Sequence, residues 1–127
     1  SIGKPPKIIK EIYDVVLEAQ LSAIESIKEG TRASDVDKVA RKIIDKHGFG
    51  KYFNHGLGHG IGLGDGEVPT LNPNSEDILV EGMVMSCEPG IYIPNVGGVR
   101  IEDDIVIIDG KGVPLNKTSK EFIILGE

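Results

Sequence analysis

The sequence predicts an α+β domain in which two helices precede a curved, mostly antiparallel sheet. In the first half, apolar residues recur at steps of three and four, the period of an amphipathic helix. In the second half, short apolar and β-branched runs alternate with turn signals. Helices followed by strands favour an α+β arrangement over a βαβ series, and 127 residues without a repeat or linker are typical of a single domain.

The two predicted helices are marked by their ends and by their apolar stripes. Pro5 and Pro6 suit a helix start, where a missing N–H costs nothing, and Gly30 is a stop signal. The second helix follows at once, with Ser34 as its cap and Gly48 as its end. The stripes consist of Ile12, Val16, Ala19, Ala23 and Ile27 in the first helix, and of Val36, Val39, Ala40, Ile43 and Ile44 in the second.

Three segments of the second half are predicted as strands. Met83–Cys87, Gly98–Ile108 and Glu121–Leu125 have a β-like composition. Residues 109–112, Asp-Gly-Lys-Gly, are a turn signal between the last two. These segments make up the predicted sheet.

Composition and charge narrow the classes of function. Hydrophobic residues make up 39% of the chain and charged residues 27%, which is typical of a soluble globular protein. No run approaches the roughly 20 apolar residues of a membrane helix, and no secretory signal is visible. A net charge of -6 repels phosphate backbones, and the single cysteine, Cys87, cannot form an internal disulfide. We therefore expect a cytoplasmic protein without nucleic-acid or membrane partners.

Glycine occupies every second position of the segment 55–66, HGLGHGIGLGDG. Six glycines would each cost a helix about 1 kcal/mol, so an extended chain with one bare face is expected. A bare face lets another backbone or a ligand approach closely. The side chains from His55 to Asp65 share the other face, and this set includes His59.

On an extended chain, His55 and His59 point the same way but lie about 13 Å apart. One metal ion therefore cannot bind both unless the chain bends, and we expect one to be a ligand and the other to lie nearby in the site. Two alternatives stay open. A phosphate-binding glycine loop is disfavoured because neither dinucleotide nor Walker spacing fits, and a purely structural glycine strand leaves two same-face histidines unexplained.

Acidic residues occupy the ends of two predicted strands. Glu88 follows an apolar strand and precedes Pro89-Gly90, where a carboxylate is costly unless it is paired or bound to metal. Alternation places Cys87 on the opposite face, as a packing residue rather than a reactive thiol.

Alternation also places Arg100, Glu102 and Asp104 on one face. Taken alone, they could be an exposed charged stripe. With Glu88 and a neutral imidazole, the carboxylates form a ligand set suited to Mn, Co, Fe or Zn, and Arg100 would orient a carboxylate or offset its charge.

Three ordered blocks carry a family resemblance that covers essentially the whole chain. They read His-Gly-Leu-Gly-His-Gly from position 55, Glu-Pro-Gly-Ile-Tyr from 88, and Gly-Gly-Val-Arg-Ile-Glu-Asp-Asp from 97. This series resembles the proline-peptidase branch of the pita-bread metallopeptidases, which holds Xaa-Pro dipeptidase (prolidase) and Xaa-Pro aminopeptidase. The resemblance implies a creatinase/aminopeptidase-like pita-bread fold and hydrolysis of the bond before proline in di- or oligopeptides.

The resemblance also implies roles for individual residues in a dinuclear site held by two Asp, one His and two Glu. His59, Glu88 and Glu102 match the metal ligands, with Glu102 bridging, and Glu88 is our candidate to transfer the proton. His55 matches the residue that contacts substrate or helps proton transfer, and Arg100 a supporting arginine. Two divalent ions are implied, Mn foremost, with Co, Zn or Fe as alternatives.

Two departures from the family pattern bear on activity. The two Asp ligands of the family lie before the first helix, so residues 1–127 correspond to a truncated, C-terminal part of the catalytic domain. Gly66 stands where the family has a histidine, just before Glu67-Val68-Pro69. We expect weak or absent metal binding and no peptidase activity for the isolated chain.

Two other classes of function remain. A metal-free, creatinase-like amidinohydrolase is disfavoured because His59, Glu88 and Glu102 are all present. A non-catalytic pita-bread binding module is favoured by Gly66 alone. A homodimer is implied by the resemblance only.

Overall fold

A computed structural model describes residues 1–64 and 66–126, so Asp65 of the glycine segment lies outside the described residues. Two helices come first, and antiparallel strand pairs follow. The elements are α1 (Lys7–Ser26), α2 (Ala33–Lys46), a 3₁₀ turn (Gly50–Tyr52), β1 (Gly58–His59), β2 (Thr70–Leu71), β3 (Val84–Cys87), β4 (Gly90–Ile93), β5 (Gly97–Arg100), β6 (Asp103–Ile108) and β7 (Lys111–Pro114). The predicted order of helices and strands is confirmed.

The first helix ends at Ser26 rather than at Gly30, so the predicted stop is wrong. The residues after Ser26 pair with the start of β7 and with the turn that precedes it. The N–H of Gly112 donates to the carbonyl of Ile27 at 2.8 Å, and the N–H of Glu29 donates to Gly110 at 3.1 Å. Because these bonds hold Ile27 in an extended conformation, the helix stops before the glycine.

The predicted cap of the second helix is also wrong. Ser34 lies inside α2, which begins at Ala33, and the side chain of the N-cap residue, Arg32, makes no capping hydrogen bond. The N–H of Ala33 instead donates to the backbone carbonyl of Asp77 at 2.9 Å. A tertiary contact therefore satisfies a donor that the sequence pattern assigned to a serine hydroxyl.

The long strand predicted for Gly98–Ile108 is two strands. β5 pairs with β4 in one hairpin, whereas β6 lies between β3 and β7 in a three-stranded sheet. The chain changes partner at Ile101 and Glu102, so the ladder is interrupted there. The break separates Arg100 from Asp104, which the predicted alternation placed on one continuous strand.

The third predicted strand, Glu121–Leu125, is absent. Within this segment only Leu125 forms an isolated bridge, to Ile2. Ile123 and Leu125 are more than half exposed, and the Phe122 ring packs edge-on against Tyr13 at 4.8 Å between ring centroids. Backbone hydrogen bonds with the N-terminal residues also hold the segment, since Leu125 donates to Ser1 and accepts from Gly3, each at 2.8 Å. Among the described residues, this pairing stays a single bridge and does not extend into a ladder.

The core lies between the two helices and the sheets. Its members include fully buried residues of α1, α2, β3 and β6, among them Ile12, Val16, Ile44, Met85, Ile105 and Ile107. Odd-numbered residues of β6 are buried, as expected for a strand with one covered face. In the part of the chain that the structure describes, no helix is long and apolar enough to cross a membrane.

Candidate metal and substrate site

The bare face of the glycine segment lets three neighbouring segments approach. A Cβ on Gly56 would lie 2.9 Å from the carbonyl oxygen of Leu71, and one on Gly58 or Gly60 would collide with the carbonyl of Ser86 or Val68. The predicted close approach of other backbones is confirmed. The predicted extended chain continues only to Gly60, however, because residues 62–64 bend away.

His59 ends β1, with a side chain that is 60% exposed. Its Nδ1 lies 2.9 Å from the carbonyl oxygen of Gly60, which can only accept, so Nδ1 carries a proton. In the neutral imidazole, Nε2 then presents a lone pair, and it lies 3.4 Å from Oε1 of Glu88. A shared cation or an added proton would stabilise this pair of facing acceptors.

Glu88 follows β3 directly and is mostly buried, with 13% of its side chain exposed. Its N–H donates to the carbonyl of Leu57 at 2.8 Å. The hydroxyl of Ser86 donates to Oε1 at 2.9 Å and also accepts the N–H of His59 at 3.0 Å. Ser86 therefore links His59 and Glu88. The sequence analysis missed this role because a serine inside an apolar strand carries no distinct signal.

Arg100 lies between the two acidic positions. Its Nε is 3.7 Å from Oε2 of Glu88 and 3.8 Å from Oε2 of Glu102. Tyr92, by its charge and by a hydrogen bond, raises the pKa of Arg100, and both carboxylates add to this shift. Arg100 and Glu102 are about half exposed, so water screens these contacts and each contributes little to stability.

His55 has both ring nitrogens occupied. Nδ1 lies 2.7 Å from the carbonyl oxygen of Gly56 and so carries the proton, while Nε2 accepts the hydroxyl of Tyr92 at 3.1 Å. The ring also packs edge-on against Phe53, with centroids 5.0 Å apart. Tyr92, which the sequence motif contained without an assigned role, is therefore the hydrogen-bond partner of Nε2 of His55.

An ion pair on α2 holds the segment that carries His55. The guanidinium of Arg41 contacts both carboxylate oxygens of Asp37 at 2.8 and 2.9 Å, and it donates to the carbonyls of Phe53 and His55 at 3.0 and 2.9 Å. Asp37, only 1% exposed, also accepts the N–H of Leu57 at 3.1 Å. Sequence analysis missed this pair, although the i, i+4 spacing of an acid and an arginine is a signal for it.

These side chains meet at a cleft of about 350 Å³. It is lined by His55, Gly56, Gly58, His59, Thr70, Asn72, Glu88 and Arg100. The structure thus brings His55, His59, Glu88 and Arg100 together, whereas Glu102 contacts the group only through Arg100. Among residues 1–64 and 66–126, no three His, Cys, Asp or Glu side chains are close enough to hold a metal ion.

The donors present fit one corner of a metal site. An imidazole nitrogen and a carboxylate oxygen, each about 2.1 Å from one ion, lie roughly 3.0 to 3.6 Å apart at angles of about 90 to 120°. The 3.4 Å between His59 and Glu88 falls in this range. Nitrogen and oxygen donors together suit Mn, Co, Fe or Zn. His59 and Glu88 therefore fit a divalent ion, and further ligands are needed to complete its coordination.

Cys87 lies behind this corner and is fully buried. Burial first, then the negative charge of Asp103, raises the pKa of its thiol to about 12. The thiol is therefore neutral at physiological pH, as expected for a packing residue.

The profile of metallopeptidase family M24 matches residues 1–109. The chain belongs to this family. It is 52% identical over 122 residues to the Xaa-Pro dipeptidase of Pyrococcus horikoshii, covering 96% of this chain and 35% of that protein. Two solved structures are similarly close. A dipeptidase from Pyrococcus horikoshii OT3 superposes on this chain with a TM-score of 0.96 and 50% sequence identity. An Xaa-Pro dipeptidase from Bacillus anthracis superposes with a TM-score of 0.95 and 46% sequence identity.

Both structural alignments cover 98% of this chain and 35% of the other one. The two helices and the antiparallel sheets are therefore those of the pita-bread fold, and the predicted fold class and family are confirmed. The chain spans about a third of the length of the relatives it matches.

Proposed function

We propose that this chain is the part of an Xaa-Pro metallopeptidase that supplies one histidine and two glutamates to a dinuclear metal site. The observation that carries the proposal is the corner between Nε2 of His59 and Oε1 of Glu88, open to a cleft that His55 also lines. The names of the relatives supply the substrate class, a peptide with proline after the scissile bond.

The proposed ligands are His59, Glu88 and Glu102. When bound, divalent ions would lower the pKa of a water molecule and polarise the scissile carbonyl. Glu88 takes the proton of the attacking water and passes it to the departing proline nitrogen. The Ser86 hydroxyl holds one oxygen of this carboxylate in place during the transfer.

His55 acts on the substrate side. Tyr92 and the Gly56 carbonyl fix both edges of its ring, and Arg41 holds its backbone carbonyl. A substrate N–H or O–H group that displaced the Tyr92 hydroxyl would donate to Nε2, while the Gly56 carbonyl still held Nδ1. Arg100 offsets the charge of Glu88 and Glu102 when no metal is present.

By itself the 127-residue chain binds metal weakly and is inactive, because the family's two Asp ligands are not among the donors of this cleft. A chimera tests the proposal. The N-terminal part of the Pyrococcus horikoshii dipeptidase is joined to this chain, and hydrolysis of an Xaa-Pro dipeptide is measured with Mn²⁺. We expect activity that His59→Ala, Glu88→Gln and Glu102→Gln each reduce at least about 100-fold, and that His47→Ala leaves intact. A folded chimera that is inactive both as it stands and with Gly66→His, or that keeps its activity without Glu88 and Glu102, refutes the proposal.

The second candidate is a binding module without catalysis, and the observation that favours it is Gly66. This residue is exposed and has open space around it, but its φ of +79° suits glycine and would strain a histidine. In the chimera, Gly66→His separates the two candidates. A gain of hydrolysis from an inactive chimera identifies the lost imidazole as the missing catalytic part, whereas tight peptide binding without hydrolysis in both forms favours the binding module.

A further inference from the structure

Gln20 is a fully buried polar side chain in the middle of α1. Its Nε2 lies 3.4 Å from the carbonyl oxygen of Cys87 and 3.3 Å from that of Ile101. Both neighbours can only accept hydrogen bonds, so the NH₂ group of the amide must face them. One side chain of the helix therefore donates to two strand segments that are far apart in sequence.

The two carbonyls belong to the residues directly before Glu88 and Glu102. Cys87 is the last residue of β3, and Ile101 lies where the chain passes from the β4–β5 hairpin to β6. Cys87 still pairs with Asp103, and the N–H groups of Glu88 and Ile101 donate to the carbonyls of Leu57 at 2.8 Å and Pro89 at 3.4 Å. Gln20 adds one donor that is shared by the two segments leading into the carboxylates.

We propose that Gln20 is a positioning residue that sets the relative placement of the Glu88 and Glu102 carboxylates. The functional meaning of this inference rests on the proposed metal site. Among the described residues, the buried Oε1 of Gln20 has no hydrogen-bond partner, which is unfavourable for an amide in a core. An apolar side chain of the same volume would avoid that cost, so packing alone does not account for a glutamine here.

Arg100 also contacts both carboxylates, because its Nε lies 3.7 Å from Oε2 of Glu88 and 3.8 Å from Oε2 of Glu102. The arginine side chain is, however, half exposed to water. Such contacts hold their partners loosely. Gln20 acts from the dry side of the same two segments, where hydrogen bonds are not exchanged with solvent. The helix thus fixes the backbone, and the arginine balances charge at the surface.

Amide hydrogen exchange of the 127-residue chain tests this inference. Gln20→Met keeps the volume and removes both donors, and Val16→Ala is the matched control, a fully buried residue one turn earlier in α1. We expect Gln20→Met to speed exchange at the N–H groups of Glu88 and Ile101 about tenfold more than at Ala40 in α2. Val16→Ala should change the exchange rates at Glu88, Ile101 and Ala40 by a common factor.

Gln20→Glu is a second test of the donors, because a buried carboxyl group is protonated and then has one O–H donor for the two carbonyl oxygens. It should loosen Glu88 and Ile101 less than Gln20→Met does. If both variants change the exchange of Glu88 and Ile101 by the same factor as that of Ala40, or not at all, the positioning role is overturned and Gln20 is a general core residue.

A measurement on the unaltered chain applies even if the variants do not fold. Gln20 is the only glutamine of the sequence, so its side-chain amide signals are readily assigned. Both protons should exchange at least about 100-fold slower than those of an exposed amide. Exchange of both at the free rate would overturn the inference. None of these experiments needs metal or substrate, so an inactive chimera would refute the proposed function and leave this result standing.

Discussion

Replacing Gly58 by alanine tests how the glycine segment builds the cleft. A Cβ at this position would collide with the carbonyl oxygen of Ser86 and would lie 2.8 Å from its carbonyl carbon and 3.0 Å from its hydroxyl oxygen. The nearest atoms belong to backbone of β3, which cannot turn aside as a side chain can. We therefore expect Gly58→Ala to lie at the upper end of overpacking costs, about 3 kcal/mol.

Gly64→Ala is the matched control in the same segment. Its Cβ would meet only Oε1 of Glu67 at 3.7 Å, an ordinary contact. A tolerated glycine-to-alanine change gains about 0.4 to 1 kcal/mol by restricting the unfolded chain. The two variants should thus differ by roughly 3 to 4 kcal/mol in their free energy of unfolding.

Thermal unfolding followed by circular dichroism measures this difference. The unfolding entropy is about 2.1 cal/mol/K per residue. For 127 residues, a difference of roughly 3 to 4 kcal/mol therefore corresponds to a Tm difference of roughly 11 to 15 °C. Gly58→Ala should also shift the NMR signals of Ser86 and His59, because the added methyl displaces the hydroxyl that joins them. Equal Tm values for the two variants would refute the close-approach reasoning.

Three further outcomes follow from buried charges and the buried thiol. Asp37→Asn should destabilise the chain by about 2 to 3 kcal/mol in urea unfolding, because the neutral amide no longer balances Arg41, while the double variant with Arg41→Met recovers part of the loss. Lys120→Met should cost about 3 kcal/mol in the same assay by leaving buried Asp103 unpaired, and Asp103→Asn should lessen that cost. The thiol of Cys87 has a raised pKa, so the unfolded chain loses this proton first, and stability should fall as pH rises from about 9.0 to about 12. Cys87→Ala should remove this part of the pH dependence, and an unchanged slope would contradict the assignment.

The fold was predictable where local pattern and tertiary packing agree. Apolar periodicity placed both helices, and the alternating glycines predicted the close approach that Gly58 shows. Prediction failed where a distant backbone supplied the partner, as at the start of α2, where Asp77 replaces Ser34 as the hydrogen-bond partner. It also failed at Glu121–Leu125, since an apolar run becomes a strand only when a neighbouring strand is available.

The candidate site was likewise predictable only in part. Residues in distinctive motifs, such as His59 and Glu88, could be found from the sequence and do meet in the structure. The residues that position them could not be found from the sequence. Gln20 is 67 positions from Cys87, and Ser86 resembles any strand residue until its hydroxyl is seen between two site groups. Such contacts depend on tertiary register, which single-sequence patterns do not encode.

The central claim is that His59 and Glu88 form a metal-binding corner, and a Mn²⁺ titration followed by NMR tests it most directly. The chain contains a comparison pair, because Nε2 of His47 lies 3.2 Å from Oε2 of Glu18 on an exposed helix surface. We predict that paramagnetic broadening appears first at His59 and Glu88, at Mn²⁺ concentrations that leave the His47 and Glu18 signals sharp, and that Glu88→Gln removes this preference. Equal broadening at the two pairs, or broadening that survives Glu88→Gln, would contradict the account.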